Sequence, residues 1–295
     1  MERAVTFFSG GCRLSGDLYV PDERAADQRR PGIVLCCGYT GVKDLYLNDM
    51  ARRLALGGFV ALTFDYKGWG QSDGPRLRLA PFGRVEDTQA ALSFLSEQPE
   101  VDPTRMGLYG ISYGGSTATF TAAIDRRVKV VVSVTGVGNG ERWMRGVRHP
   151  WEFRTLIEQA NRDRAHQAVT GEGEMVDRSY VLMLDPQSAE ISARTRASRP
   201  SASMEVPLEM AHETIGFNPE WVVDKISPRA ALFITSDRDE LVLPEESEAL
   251  FARAGEPKRL VVLHGYGHYE VFTAPALDEV MAETLKWYRA YLGEG

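Results

Sequence analysis

Short apolar runs and amphipathic stretches alternate along most of the chain. The segment 31–37 is a short continuous apolar run, as in a strand that a parallel sheet covers on both faces, and 44–56 has apolar residues at helical spacing. Further apolar runs predict strands at 59–64, 105–109, 128–134, 229–235 and 259–263, and helical spacing predicts helices at 84–95, 113–123, 244–254 and 276–291. This alternation predicts an α/β protein with a mostly parallel, doubly wound sheet.

Two segments depart from that alternation. The first twenty residues alternate between apolar and polar around Gly10 and Gly11, which predicts an N-terminal antiparallel hairpin. Residues 136–225 contain helical patterns at 150–169, 173–184 and 186–197 but no clear strand. Strands resume after this segment. We therefore expect a helical cap, or lid, at 136–225, inserted into a core formed by 1–135 and 226–295, rather than a separate C-terminal domain.

Composition narrows the functional classes. The 295 residues carry a net charge of −7 with acidic and basic residues intermixed, which argues against a nucleic-acid partner. No apolar run approaches the roughly 18 residues of a membrane span or the length of a signal peptide. The three cysteines include the neighbours Cys36 and Cys37, so a disulfide framework is not expected. These features favour a cytoplasmic protein, and no motif predicts a metal or a cofactor.

The segment 110–114, Gly-Ile-Ser-Tyr-Gly, matches the G-x-S-x-G pattern of a nucleophile elbow. It follows a predicted strand and precedes a helix of small residues, as this strained turn requires. Ser112 is therefore the candidate nucleophile. A serine hydroxyl is weakly nucleophilic until a base accepts its proton, so a histidine and an orienting carboxylate are needed.

The base and the acid are expected in loops after the last two strands of the core. His268 lies in a glycine-rich loop and is the preferred base, whereas His264 is nearer the strand and is the alternative. Asp237 and Asp239 both follow the preceding strand. Asp239 is preferred because it lies deeper in its loop, and the order Ser, Asp, His suits this architecture.

An oxyanion hole needs two backbone N–H groups that point at the developing charge. One should come from Tyr113, directly after the nucleophile, and the other from Tyr39, in the loop after the strand that ends at Cys37. The Tyr39 ring is also expected to line the acyl pocket. Aromatic residues of the cap are further candidates for that pocket, namely Trp143, Trp151, Phe153, Tyr180, Phe217 and Trp221.

With these motifs in place, the chain resembles the α/β-hydrolase superfamily over nearly all of its length outside the cap. Segment 38–43 resembles the H-G-x-x-G oxyanion segment, with Cys37 where histidine is common, and 65–72 resembles D-x-R-G-x-G-x-S. Segment 236–242 resembles G-x-x-D-x-x-V, which assigns the acid to Asp239. The elbow and cap are similar to those of dienelactone-hydrolase-like and Xaa-Pro dipeptidyl-peptidase-like serine esterases, although dienelactone hydrolases use a cysteine where this chain has Ser112.

The resemblance implies a serine hydrolase that cleaves carboxylic esters of a small-molecule acyl substrate through an acyl-enzyme, without a cofactor. It also implies a cap that can contribute to a homodimer. Two alternatives stay open. The same triad could serve an acyltransferase or a hydrolase of thioesters, amides or C–C bonds, and the fold could carry a catalytically silent ligand-binding protein.

Overall fold

A central sheet of eight strands organises the protein in the computed structural model, which describes residues 1–22, 29–197 and 205–293. Across the sheet the order is β1-β2-β4-β3-β5-β6-β9-β10, and β7 and β8 form a separate small sheet. The strands are β1 (Glu2–Ser9), β2 (Cys12–Tyr19), β3 (Arg30–Cys36), β4 (Val60–Phe64), β5 (Val101–Ile111), β6 (Val128–Val134), β7 (Met175–Asp177), β8 (Glu205–Pro207), β9 (Ala230–Ser236) and β10 (Lys258–Leu263).

The helices follow the strands in the predicted alternation. They are α1 (Leu47–Leu56), α2 (Pro81–Ser96), α3 (Tyr113–Ile124), α4 (Gly140–Gly146), α5 (Pro150–Thr170), α6 (Arg178–Val181), α7 (Pro186–Ala197), α8 (Met210–Ile215), α9 (Pro244–Arg253) and α10 (Ala276–Leu292). Among the described residues, no helix has the length and apolar character needed to cross a membrane.

Strand direction in the large sheet is mixed only at its N-terminal edge. Strands β1 and β2 form the predicted hairpin, and β2 pairs antiparallel with β4. From β4 to β10 every neighbouring pair is parallel. The predicted fold class is therefore confirmed. Strand β5 begins four residues before its predicted start because its first residues, which include Asp102 and Thr104, are polar and break the apolar run.

Helices cover both faces of the sheet, as close packing at two glycines shows. A Cβ at Gly32, which pairs with Met106, would lie 3.1 Å from the Leu95 side chain of α2. On the next pair along the strands, a Cβ at Gly107 would lie 3.3 Å from the Leu292 side chain of α10. Successive residues of a strand point to opposite faces, so α2 and α10 lie on opposite sides of the sheet.

The segment between β6 and β9 is mostly helical but not entirely so. The helix predicted over 173–184 is wrong: residues 175–177 form β7, which pairs antiparallel with β8, and only the single turn α6 follows. The backbone N–H of Glu174 donates to Asp163 of α5 (2.7 Å), and Asp177 caps α6 through Ser179. Local periodicity misses this small sheet because its two strands lie almost thirty residues apart.

Candidate active site

Ser112 occupies a tight turn between β5 and α3, at the carboxyl end of the sheet. Its backbone has φ 53° and ψ −131°, a conformation that costs free energy for a residue with a side chain. Glycines permit this turn. A Cβ at Gly110 would lie 2.6 Å from the backbone nitrogen of Gly115, and one at Gly114 would lie 2.6 Å from the Cys37 carbonyl oxygen and closer still to that of Cys36.

The structure joins Ser112, His268 and Asp239 by consecutive hydrogen bonds. The distance from His268 Nε2 to Ser112 Oγ is 3.0 Å, and His268 Nδ1 lies 2.7 Å from Asp239 Oδ2. The other carboxylate oxygen, Oδ1, accepts the backbone N–H groups of Leu241 (3.0 Å) and Val242 (2.7 Å). His268 and Asp239 are buried, so the imidazole is held in one orientation between a hydroxyl and a fixed carboxylate.

The two alternative residues pair with each other, away from Ser112. His264 Nδ1 lies 2.9 Å from Asp237 Oδ2, and the side chains are 81% and 42% exposed. Asp237 Oδ1 also accepts the backbone N–H of Gly265 at 2.7 Å. That amide, together with His264, lowers the pKa of the Asp237 carboxyl. The chain therefore carries two Asp–His pairs on the same two loops, one buried against Ser112 and one at the surface.

The loop after β3 passes directly over Ser112. A Cβ at Gly38 would lie 3.3 Å from the Ser112 Cβ, so only glycine leaves this approach uncrowded. The hydroxyl of the next residue, Tyr39, lies 2.8 Å from Thr214 Oγ1 of α8, and its ring packs edge-on against those of Tyr113 and Trp143. Burial raises the pKa of Tyr39 to about 12, so the phenol stays neutral.

Arg84, which the sequence did not single out, anchors the same loop from α2. Its guanidinium donates to the carbonyl oxygens of Cys37 and Gly38, the latter at 3.1 Å, and stacks 4.0 Å from the centre of the Tyr66 ring. In a trans peptide the carbonyl and the following N–H point in opposite directions. Because the Gly38 carbonyl points at Arg84, the Tyr39 N–H points away from it.

The adjacent cysteines are buried and chemically quiet. Burial raises the pKa of the Cys36 thiol, and it raises the pKa of Cys37 to about 12. Thiolate, the reactive form, is therefore scarce at neutral pH. These residues therefore act as small packing groups beneath the loop.

A narrow cavity of about 30 Å³ lies over Ser112, enough for a single water molecule. Its lining includes Tyr39, Leu241 and Phe272, and the segment between β6 and β9 contributes Trp143, Arg178 and Leu182. Of the predicted cap aromatics, Trp143 lines the cavity, and its indole N–H donates to the Leu241 carbonyl at 2.7 Å. Phe217 packs behind Tyr113, and the side chains of Trp151, Tyr180 and Trp221 are exposed.

Comparison with known proteins assigns this chain to a family. The sequence profile of the X-Pro dipeptidyl-peptidase (S15) family matches residues 10–270. The uncharacterized protein PA2218 of Pseudomonas aeruginosa is 32% identical over 92% of this chain and 76% of its own. Its crystal structure superposes with a TM-score of 0.85 over 99% of this chain and 94% of that chain, at 28% identity.

Two further proteins match over nearly their whole length. Polyketide transferase claH of Penicillium crustosum is 28% identical over 96% of this chain and 95% of its own. The structure of DcsB in complex with its substrate analogue has a TM-score of 0.87 and 24% identity, with 99% of each chain covered, and bears on the fold alone. The solved structures that superpose on this chain include an alpha/beta hydrolase, so the predicted α/β-hydrolase fold is confirmed.

The contacts at Gly114 yield a test of the elbow. We expect Gly114→Ala to lower the free energy of unfolding by about 1–3 kcal/mol or more, because backbone carbonyls cannot move aside for the new methyl group. Urea denaturation measures this change. Gly216→Ala is the matched control, since a Cβ there meets its nearest neighbour at an ordinary 3.4 Å, and it should shift stability by less than about 0.5 kcal/mol. Equal effects of the two substitutions would contradict the close approach.

Proposed function

Because the chain belongs to the X-Pro dipeptidyl-peptidase (S15) family, we propose that it is a serine hydrolase that cleaves carboxylic esters through an acyl-enzyme. The observation that carries the proposal is the unbroken hydrogen-bond chain from Ser112 through His268 to Asp239. The family description names a peptidase, whereas the near full-length relative claH is named a polyketide transferase. Both activities transfer an acyl group, and the ester is the acyl compound that a simple assay can test first.

In the first half of the reaction, Ser112 Oγ attacks the ester carbonyl while His268 Nε2 accepts its proton. Asp239 holds the His268 ring with Nδ1–H towards the carboxylate and stabilises the imidazolium that forms. The tetrahedral intermediate collapses when its C–O bond to the alcohol breaks and His268 donates its proton to the departing oxygen. In the second half, His268 accepts a proton from water, the hydroxide attacks the acyl-enzyme, and Ser112 is released with its proton restored.

The negative charge of each tetrahedral intermediate needs donors that are already in place. We assign them to the backbone N–H groups of Tyr39 and Tyr113, each worth roughly a 10²–10³-fold acceleration. Arg84 supports this role because it holds the Gly38 carbonyl and so fixes the direction of the Tyr39 N–H. The reaction moves only protons and an acyl group, so the proposal includes no metal or cofactor.

Ser112→Ala tests the serine mechanism. With para-nitrophenyl esters from acetyl to dodecanoyl, we expect wild-type hydrolysis to fall by about 10⁴-fold or more in the variant, because the nucleophile is missing. A fluorophosphonate should label the wild type and not Ser112→Ala, and circular dichroism should show that both are folded. A folded wild type that escapes labelling would contradict the mechanism and favour a catalytically silent binding protein.

The surface Asp–His pair is a natural control for the acid assignment. We expect Asp239→Asn to lower kcat by about 10³–10⁴-fold, because the amide cannot stabilise the imidazolium and favours the wrong tautomer of His268. Asp237→Asn removes the same charge two residues away and should change kcat by less than about three-fold, since Asp237 contacts His264 and Gly265. Steady-state kinetics on one ester measures both changes in kcat. A larger loss in Asp237→Asn than in Asp239→Asn would assign the acid role to Asp237.

The similarity to claH favours acyl transfer as a second candidate function. Here an alcohol or amine replaces water in the second half of the reaction, and the same His268 accepts its proton. The test supplies a para-nitrophenyl ester together with increasing butanol or butylamine and separates the products by chromatography. If the enzyme transfers acyl groups, the amount of new ester or amide should increase with added acceptor and the amount of free acid should decrease. A hydrolase should yield free acid throughout.

A further inference from the structure

Arg178 is a buried cation in the wall of the cavity that contains Ser112. It is the first residue of α6 in the cap and is only 2% exposed. Its guanidinium contacts three hydroxyl oxygens, those of Thr40 (2.8 Å), Ser192 (3.3 Å) and Tyr269 (3.4 Å). Hydroxyls are neutral, so these contacts satisfy hydrogen-bond donors without balancing the positive charge.

Within the described ranges, no carboxylate lies within 4.0 Å of the Arg178 guanidinium, the distance of an ion pair. The acidic residue next to it, Asp177, uses its carboxylate to accept from Ser179 at the surface. The other buried arginines near the site, Arg84 and Arg148, differ because they donate to main-chain carbonyl oxygens, whose partial negative charge faces the cation. Arg178 thus combines burial, access to the cavity and a charge without a contacting ion-pair partner among the described residues.

A buried charge without an opposite charge is costly, and the cost falls when a ligand supplies that opposite charge. The guanidinium has five N–H donors and three contacts among the described residues, so donors are left for a ligand. Thr40 follows Tyr39 in the proposed oxyanion loop, and Tyr269 follows the proposed base His268. A group bound by Arg178 would therefore lie beside the reacting carbonyl.

We propose that Arg178 binds a carboxylate of the substrate, so that the enzyme acts on acyl compounds that carry a carboxylate near the scissile bond. A carboxylate fits because it is small, planar and able to accept two parallel N–H bonds from a guanidinium, and the cavity is narrow. This inference rests on the proposed serine hydrolase. The carboxylate can belong to the acyl group or to the leaving alcohol, and the experiment separates the two sources.

Two matched substrate pairs test the inference. In the first, para-nitrophenyl hemiadipate carries a carboxylate in its acyl group, and the neutral counterpart carries a primary carboxamide there. In the second, para-carboxyphenyl hexanoate carries the carboxylate on its leaving group, and para-carbamoylphenyl hexanoate is neutral. We expect wild-type kcat/KM to be about 10–100-fold higher for the carboxylate member of one pair, as a charge-assisted hydrogen bond in a desolvated site warrants.

Arg178→Met should abolish that preference. The carboxylate substrate should lose about 10–100-fold in kcat/KM, and its carboxamide counterpart should change by less than about three-fold. Arg178→Lys keeps the charge and should retain part of the preference. Arg145→Met is the control for loss of a cap arginine, because Arg145 is exposed and paired with Glu141, and both ratios should stay as in the wild type.

Several outcomes would overturn the inference. If Arg178 only ties the cap to Thr40, Arg178→Met will slow both members of each pair by the same factor. If Arg178→Met does not fold, the wild type still decides, because equal kcat/KM within both pairs refutes carboxylate binding. If the wild type hydrolyses no ester, isothermal titration calorimetry can instead measure binding of adipamic acid and para-hydroxybenzoic acid. If neither acid binds more tightly than its neutral amide, carboxylate binding by Arg178 is refuted.

These outcomes are separate from failure of the proposed function. Hydrolysis of the neutral carboxamide esters that Ser112→Ala abolishes would support the serine mechanism whatever the charge preference. Carboxylate binding without turnover would instead leave Arg178 as an anion site and contradict the hydrolase.

Discussion

The close backbone approach at Gly114 is the contact on which the site depends. Because residue 114 has no side chain, the start of α3 lies against the carbonyl oxygens at the end of β3. That contact fixes the turn in which Ser112 is strained, and it also sets the position of the loop that begins at Gly38. One packing constraint therefore positions both the proposed nucleophile and the proposed oxyanion loop.

The arginines buried near this contact are opposite in sign to the net charge of the chain. The protein is net negative, yet the cations Arg84, Arg148 and Arg178 are buried around Tyr39 and each acts to lower the pKa that burial raises. The principal negative charge in the site, Asp239, is stabilised by two backbone amides and by His268. This arrangement of charges supports the proposed oxyanion in the transition state and the proposed anionic group on the substrate.

The sequence predicted the parts of the protein that local pattern determines. The bounds of β6 and the elbow at Ser112 are examples. Both depend on neighbours within a few residues, so the sequence alone predicts them. Asp237 and Asp239 were harder to separate because both follow β9, and only the fold shows that each meets a different histidine. Arg178 and the β7–β8 pair were missed since they depend on contacts distant in sequence, such as the one between Arg178 and Thr40. Arg84 had a local signal, because it shares a helical face with buried positions of α2.

On the proposed function, the core carries the chemistry and the segment between β6 and β9 contributes to specificity. The core supplies the proposed triad and oxyanion donors, all at loops that the parallel sheet positions. The segment between β6 and β9 supplies Trp143, Arg178 and Leu182, which line the narrow cavity over Ser112. On the proposed function, these three side chains would contact the acyl group next to Ser112. Substitutions in this segment could then change the acyl donor or acceptor without altering the proposed triad, and a shared fold alone does not fix the reaction.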